Sequence, residues 1–273
     1  MRRLESGRIE RVTMPEVESY QQGTPCWVDL SSTDIDVSRK FYSDLFGWEL
    51  EAMDAGNGMT YYMAKLKGRY VAGMMQQLPD SPPGMPSYWA NYLAVDSADE
   101  AARRVEAAGG TLLSPPDSVP NGSGRMFFAT DPTGAQIAFW ETGNHPGSGL
   151  VNEPGAMIWN ELQTNDVPKA VAFYEAVTGC SSETEPAGDL QEYTSLLVNG
   201  RRVAGALTLP IEGLSPFWMT YFNVVDIDAS VEQAVELGSH VIAPAFHVPG
   251  VGRMAVLMDP AGAAFSIMTG LAA

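Results

Sequence analysis

Histidine is scarce in this chain of 273 residues: there are three, His145, His240 and His247. That excludes a metal centre built from several imidazoles, though not one built from carboxylates alone. The two cysteines, Cys26 and Cys180, cannot make a disulfide framework, and a reduced, cytoplasmic setting is the default reading. Basic residues number 16 against 33 acidic ones, a formal net charge of -17. Such a balance repels a phosphate backbone and argues against nucleic acid as a partner. No apolar run approaches the roughly eighteen residues of a membrane span, so no membrane partner is expected. The opening "MRRLESGRIERV" lacks the apolar centre of a signal peptide. Met14 reads as a natural start, and residues 1–20 are expected to form a poorly ordered extension. There is no G-x-G-x-x-G after a strand, no G-x-x-x-x-G-K-[ST] loop and no G-x-S-x-G elbow, and no cofactor is expected.

What the chain does have is an internal duplication. "GTPCWVDLSSTDIDVSRKFYSDLFGW" (23–48) is echoed by "GAMIWNELQTNDVPKAVAFYEAVTGC" (155–180). "GRYVAGMMQQLP" (68–79) matches "GRRVAGALTLP" (200–210), and "GRMFFATDPTGAQIAFW" (124–140) matches "GRMAVLMDPAGAAFSIM" (252–268). These echoes define two modules, 21–142 and 156–271, joined by a Gly/Pro/Asn-rich linker at 143–155. The period is too long for a solenoid.

Each module divides again. Residues 25–31 read as a strand, and Asp34 caps a helix stopped at Gly47. Strand-like runs follow at 60–66 and 70–77. Residues 87–96 open a second unit as a strand, followed by a helix capped at Asp96 or Ser97 and stopped at Gly109. Strands at 111–113, 125–130 and 136–141 close it. The pattern is βαβββ, four times over. In the first strand Val28 and Leu30 alternate with Trp27, Asp29 and Ser31. The helix covers the apolar face, so an indole, a carboxylate and a hydroxyl face the other way. Trp159, Glu161 and Gln163 repeat this in the second module. A sheet face of this kind suggests a cleft.

The βαβββ units, the "D…FY…LFGW" phrase and the "DPTGA" and "DPAGA" turns resemble the vicinal oxygen chelate superfamily, which includes glyoxalase I, extradiol dioxygenases and bleomycin-resistance proteins. The likeness covers about 20–270, and is nearest to two-module actinobacterial proteins labelled glyoxalase-like or "hydroxylase". It implies an α+β fold: four βαβββ units in two tandem modules, with curved mixed sheets around clefts and helices outside. Metal-dependent members place three ligands in the cleft: a His or Gln in the first strand, a His in the strand opening the second unit, and a Glu in the last strand. Carried over by counting, these positions are Trp27, Ala90 and Ala138, then Trp159, Thr220 and Ser266. None is a usual metal ligand, so no metal is expected in either module.

The candidate binding residues follow from parity. They are Trp27, Tyr88, Tyr92 and Trp140 in the first module, with Trp159, Trp218, Thr220, Phe222, Ser266 and Met268 in the second. Flat aromatic walls suit a planar ligand, offset stacking being worth about 0.5–1.5 kcal/mol beyond area burial. Plugging a cavity or filling the sheet is the plainer account of each. The candidate catalytic residues are Asp29 and Glu161, as carboxylates of raised pKa, and His247 in a loop that overhangs the second cleft. The plainer accounts are a solvated rim, an ion pair with Arg125 or Arg253, and a surface histidine. The chain is expected to act on or bind a small aromatic or polycyclic natural product without a metal, by hydroxylation, isomerisation or rearrangement; the alternative is a sequestering or delivery protein. A monomer or homodimer is expected, with a biosynthetic enzyme as a possible partner.

Overall fold

A computed structural model describes residues 16–56, 58–79, 81–186, 192–209 and 213–270. The first module contains β1 (Pro25–Ser32), α1 (Ile35–Phe46), β2 (Glu49–Gly56), β3 (Met59–Leu66), β4 (Arg69–Gln76), β5 (Tyr88–Val95), α2 (Ala98–Ala107), β6 (Thr111–Leu112), β7 (Asp117–Val119), β8 (Gly124–Thr130) and β9 (Gln136–Thr142). The second contains β10 (Met157–Thr164), α3 (Val167–Thr178), β11 (Ser181–Pro186), β12 (Glu192–Val198), β13 (Arg201–Thr208), β14 (Phe217–Asn223), α4 (Ile227–Glu236), β15 (His240–Val248), β16 (Gly252–Met258) and β17 (Ala264–Gly270). The architecture is α+β, with two curved mixed sheets in two tandem modules.

Each module builds its own sheet. The strand orders are β2-β3-β4-β1-β5-β9-β8-β6, with β7 on β8, and β11-β12-β13-β10-β14-β17-β16-β15. At each centre the opening strands of the two units run antiparallel, Asp29 facing Ala90 and Glu161 facing Met219. The two units of a module therefore pair with each other, a choice the sequence leaves open. The helices begin where an acid or hydroxyl satisfies a free N–H. Asp34 accepts from Val37 N, Ser97 from Glu100 N, Asp166 from Lys169 N, and Asp226 from Asp228 N and Ala229 N. Gly47 and Gly179 end α1 and α3 in the left-handed conformation, at φ 71 and 76.

The helices lie outside the clefts, on the opposite face of each sheet, and there they meet the other module. One core joins Val28, Leu30, Phe41 and Tyr42 to Phe222, Phe265 and Ile267. A second joins Leu93, Val105, Phe127 and Phe139 to Leu162, Phe173, Tyr174 and Val177. The repeated Phe-Tyr and Asp-Pro motifs serve this interface. Asp131 Oδ1 holds its own turn through Thr133 N, Gly134 N and Ala135 N at 2.7, 3.0 and 3.2 Å. Its other oxygen accepts from Tyr174 Oη of the second module at 3.0 Å, and Trp218 Nε1 donates to that hydroxyl at 2.9 Å. Reciprocally, Asp259 sits beside Tyr42, accepts from Ser38 Oγ at 3.3 Å, and Trp89 Nε1 donates to Tyr42 Oη at 2.9 Å. Each module's turn aspartate thus clasps the other module's first helix.

The linker is fixed to the first module. Ser148 N donates to Cys26 O at 2.8 Å, and Trp48 Nε1 donates to Gly155 O at 2.7 Å. Of the extension expected at 1–20, residues 1–15 lie outside the described residues. From Glu16 the chain lies along the linker: Glu16 bridges Leu150, and Tyr20 Oη donates to Ser148 O at 2.6 Å. Arg125 and Arg253 pair with Asp99 and Asp228 in the first turns of α2 and α4, at 2.7 and 2.6 Å. These pairs are solvated, so exchanging Arg125 for Met is expected to leave the thermal midpoint unchanged within error.

Candidate functional site

The faces turned away from the helices carry the duplicated polar chemistry. On β1 they present Trp27 and Asp29, on β5 Tyr88, Ala90 and Tyr92, and on β9 Ala138 and Trp140. Asp29 is 8% exposed and its Oδ2 accepts two tyrosine hydroxyls, from Tyr92 at 2.8 Å and Tyr61 at 3.3 Å. Tyr61 Oη in turn accepts from Trp27 Nε1 at 2.9 Å. Burial pushes the Asp29 carboxyl up to about 6, against the opposing pull of Tyr92 and Tyr61.

The second module repeats the arrangement. Glu161, also 8% exposed, accepts from Tyr221 Oη at 2.6 Å and Gln163 Nε2 at 3.4 Å. Tyr193 lies beside the carboxylate and accepts from Trp159 Nε1 at 2.8 Å. Burial raises the Glu161 carboxyl above its usual range. Tyrosines bond both carboxylates, with Gln163 added at Glu161; the suggested ion pairs with Arg125 and Arg253 are not formed, those guanidinium groups being taken by Asp99 and Asp228.

A glycine in β4 and another in β13 make room for this. A Cβ on Gly73 would lie 1.7 Å from Tyr61 Oη, and one on Gly205 1.8 Å from Tyr193 Oη. The tyrosine lies flat across its neighbouring strand through a gap that only glycine leaves. Gly73→Ala is expected to expel the Tyr61 hydroxyl and strand Trp27 Nε1. The expected loss is about 2–3 kcal/mol, read as a lower denaturant midpoint at unchanged slope.

Several expected residues stand elsewhere. Trp218, Thr220 and Phe222 lie on the helix side of β14. Trp218 bonds Tyr174, Thr220 Oγ1 donates to Asn91 of the other module at 3.3 Å, and Phe222 packs on Phe46 at 5.0 Å between ring centres. The counting slipped by one because the second helix of the first module is capped by Ser97, not Asp96, whereas its counterpart is capped by Asp226. The inward residues of β14 are Phe217, Met219 and Tyr221. His247 is also displaced. It pairs with Arg253 across β15 and β16, and Arg253 reaches Asp228 on α4, so His247 is exposed on the helix side and takes no part in the cleft.

Ser266 and Met268 do face inward on β17, where Ser266 opposes Tyr221. Ser266 is fully buried, and its Oγ has no hydrogen-bond partner among the described residues. His145, read as a linker residue, enters the first cleft. Its ring meets Trp27 edge-on at 4.5 Å, and its carbonyl accepts from Trp140 Nε1 at 2.9 Å. Burial drives its imidazole down to about 4, so it is neutral at pH 7. Trp27 is consequently 4% exposed, while Trp159 remains partly exposed beside Met219, Met254 and Met268.

With the register observed, the positions that the family resemblance assigns to a metal ligand fall at Trp27, Ala90 and Ala138 in one sheet, and at Trp159, Met219 and Ser266 in the other. These residues do not fit a divalent ion, since two indoles, two methyls, a thioether and a hydroxyl supply no anionic or imidazole donor. Among the described residues no cluster of three or more His, Cys, Asp or Glu is placed to hold one.

The glyoxalase/bleomycin resistance protein/dioxygenase superfamily model matches residues 26–139 and again 156–267, and the chain belongs to that family. It is 42% identical over 256 residues to "Putative glyoxylase CFP32" of Mycobacterium tuberculosis, covering 93% of this chain and 98% of that one. It is 35% identical over 268 residues to the anthracycline biosynthesis protein DauV of Streptomyces sp. strain C5, covering 91% and 94%. Among solved structures, the Mn(II)-bound glyoxalase of Novosphingobium aromaticivorans shares the fold at TM-score 0.65 and 19% identity, over 92% of this chain and 83% of that one.

Proposed function

We propose that the chain is a metal-independent member of the family that acts on a small aromatic or polycyclic natural product, by proton transfer from a buried carboxylate. The observation that carries this reading is the carboxylate held by two tyrosines on an aromatic sheet face, built in both modules. A carboxyl raised to about 6 is mostly ionised at neutrality yet takes up a proton readily, and so serves as base and then as acid. The step is redox-neutral: a C–H conjugated with a ring carbonyl gives its proton to the carboxylate, and the electron pair moves through the ring onto the carbonyl oxygen as an enolate. Return of the proton to another atom completes an isomerisation. A hydroxylation would need the enolate to react with dioxygen and a two-electron reductant to carry the second oxygen atom to water. The anthracycline biosynthesis relatives support the polycyclic class. The second cleft is the favoured site, because Trp159 is partly exposed there with Met219, Met254 and Met268 around it, and methionine adapts to irregular apolar rings.

The test is calorimetric titration with 1,8-dihydroxyanthraquinone, together with anaerobic exchange of deuterium into the C10 position of 9-anthrone. The expected result is micromolar binding, with exchange that rises with pH as the carboxylate, held above its usual range by burial, ionises, and that disappears in the double variant Asp29→Asn, Glu161→Gln. Binding without exchange favours a second reading, a sequestering protein. Its supporting observation is that Glu161 already has Tyr221 and Gln163 as partners, as a rigid recognition group would.

A further inference from the structure

The tyrosine reached through the glycine gap carries a further role, resting on the base assignment above. Tyr61 is bonded on both sides: its oxygen accepts from Trp27 Nε1 at 2.9 Å, and its hydrogen points to Asp29 at 3.3 Å. Tyr193 stands between Trp159 and Glu161 in the same way. Neither tyrosine is on the strand that carries the indole and the carboxylate; each crosses β4 or β13 to reach them. The crossing depends on Gly73 and Gly205, where any side chain would collide with the hydroxyl. A tyrosine meant only to fill space needs no such gap. Trp27 and Trp159 also stand at the positions that the family resemblance assigns to a metal ligand, where an indole supplies no donor for one.

We propose that Tyr61 and Tyr193 are positioning residues that lock the ring-stacking wall to the base, so that a ligand lying on the indole presents its acidic C–H to the carboxylate at a fixed distance. In this role the hydroxyl touches no substrate atom. It sets which carboxylate oxygen is engaged and leaves the other for the proton. When that oxygen takes the proton from carbon, the C–H pair passes into the ring carbonyl. The carboxylic acid then returns the proton, and no oxidant or reductant is consumed. A displaced wall or a rotated carboxylate is expected to cost about 10²-fold in rate with little change in affinity, since misplacement by about 1 Å has that effect.

The titratable groups around each base are few. Asp29 is faced by Tyr61 from β3 and by Tyr88 and Tyr92 from β5, with His145 beyond Trp27. Glu161 is faced by Tyr193 and Tyr221. No cation is within ion-pairing distance of either carboxylate among the described residues.

The experiment has two arms on ¹⁵N-labelled full-length protein. In the first, the indole N–H resonances of Trp27 and Trp159 are followed from pH 4.5 to 8. They are expected to move as the neighbouring carboxylates titrate, and to stop moving in Tyr61→Phe and Tyr193→Phe respectively. In the second, deuterium exchange into anaerobic 9-anthrone is expected to fall about 10²-fold in the tyrosine variant of the active cleft, with its rising limb moved to higher pH, because the ionised carboxylate has lost a donor. Gly73→Ala and Gly205→Ala should reproduce both effects with the tyrosine still present. The proposal is overturned if the indole resonances titrate normally in the phenylalanine variants, or if exchange and its pH limb stay unchanged in variants that have lost the coupling. If wild-type protein shows the coupling but exchanges no anthrone, the base reading falls and the catalytic sense of the positioning role falls with it.

Discussion

Asn at position 29 is expected to make the protein more stable above pH 7. Burial raises the Asp29 carboxyl from 3.8 to about 6. The folded state therefore binds a proton between about pH 4 and pH 6 that the unfolded chain has released. Stability from this group is complete below pH 4, declines through that window, and stays low above it. A shift of this size corresponds to about 3 kcal/mol at most, at 1.36 kcal/mol per unit. Asparagine carries no charge to desolvate, and its carbonyl still accepts from Tyr92 and Tyr61. The difference between variant and wild type in urea midpoint should accordingly grow from pH 4 to pH 7 and then level off. A turnover loss of about 10²–10⁴-fold is expected instead from Glu161→Gln, in the favoured cleft. A merely structural carboxylate would show the opposite sign: the variant would be less stable at pH 8.

Removing the clasp between modules should have the largest effect on folding. Asp131→Ala takes away the acceptor of Thr133 N, Gly134 N, Ala135 N and the Tyr174 hydroxyl, the last of them fully buried. Each stranded buried donor costs about 1–3 kcal/mol, and the turn can recover some with water. The expected loss is about 3–5 kcal/mol, at the severe end for a single substitution. Tyr174→Phe is the milder control, since it strands only Trp218 Nε1 and one carboxylate oxygen. Both should show one unfolding transition by circular dichroism and by fluorescence. Separate transitions for the two modules would disprove the interdependence.

The duplication, the βαβββ order and the inward direction of Trp27, Asp29, Trp159 and Glu161 were readable because a strand's period is two and its repeat confirmed the register. The strand β2 carries no such signal. "ELEAMDAG" is an exposed edge, so no buried face imposes alternation on it. The β14 residues were misread because a helix cap moved by one position, and a one-residue slip turns every side chain to the opposite face. Tyr61 and Tyr193 were missed, although a signal was present. Each is followed twelve residues later by a glycine inside a strand, in both copies. A strand glycine commonly marks a close approach by another group. His145 was not readable at all, because the path of a Gly/Pro-rich linker has no periodicity to place its side chains.

The reciprocal clasp also bears on how such a chain tolerates change. Each sheet is made by one half of the chain, yet the helix resting on it is anchored by a carboxylate from the other half. A half excised at the linker would present Phe41, Tyr42 and Trp89, or Phe173, Tyr174 and Trp218, to water, with the tyrosine hydroxyl deprived of the carboxylate supplied by the other half. Two such halves expressed together are expected to find each other as a non-covalent pair, whereas either one alone should remain an aggregation-prone fragment.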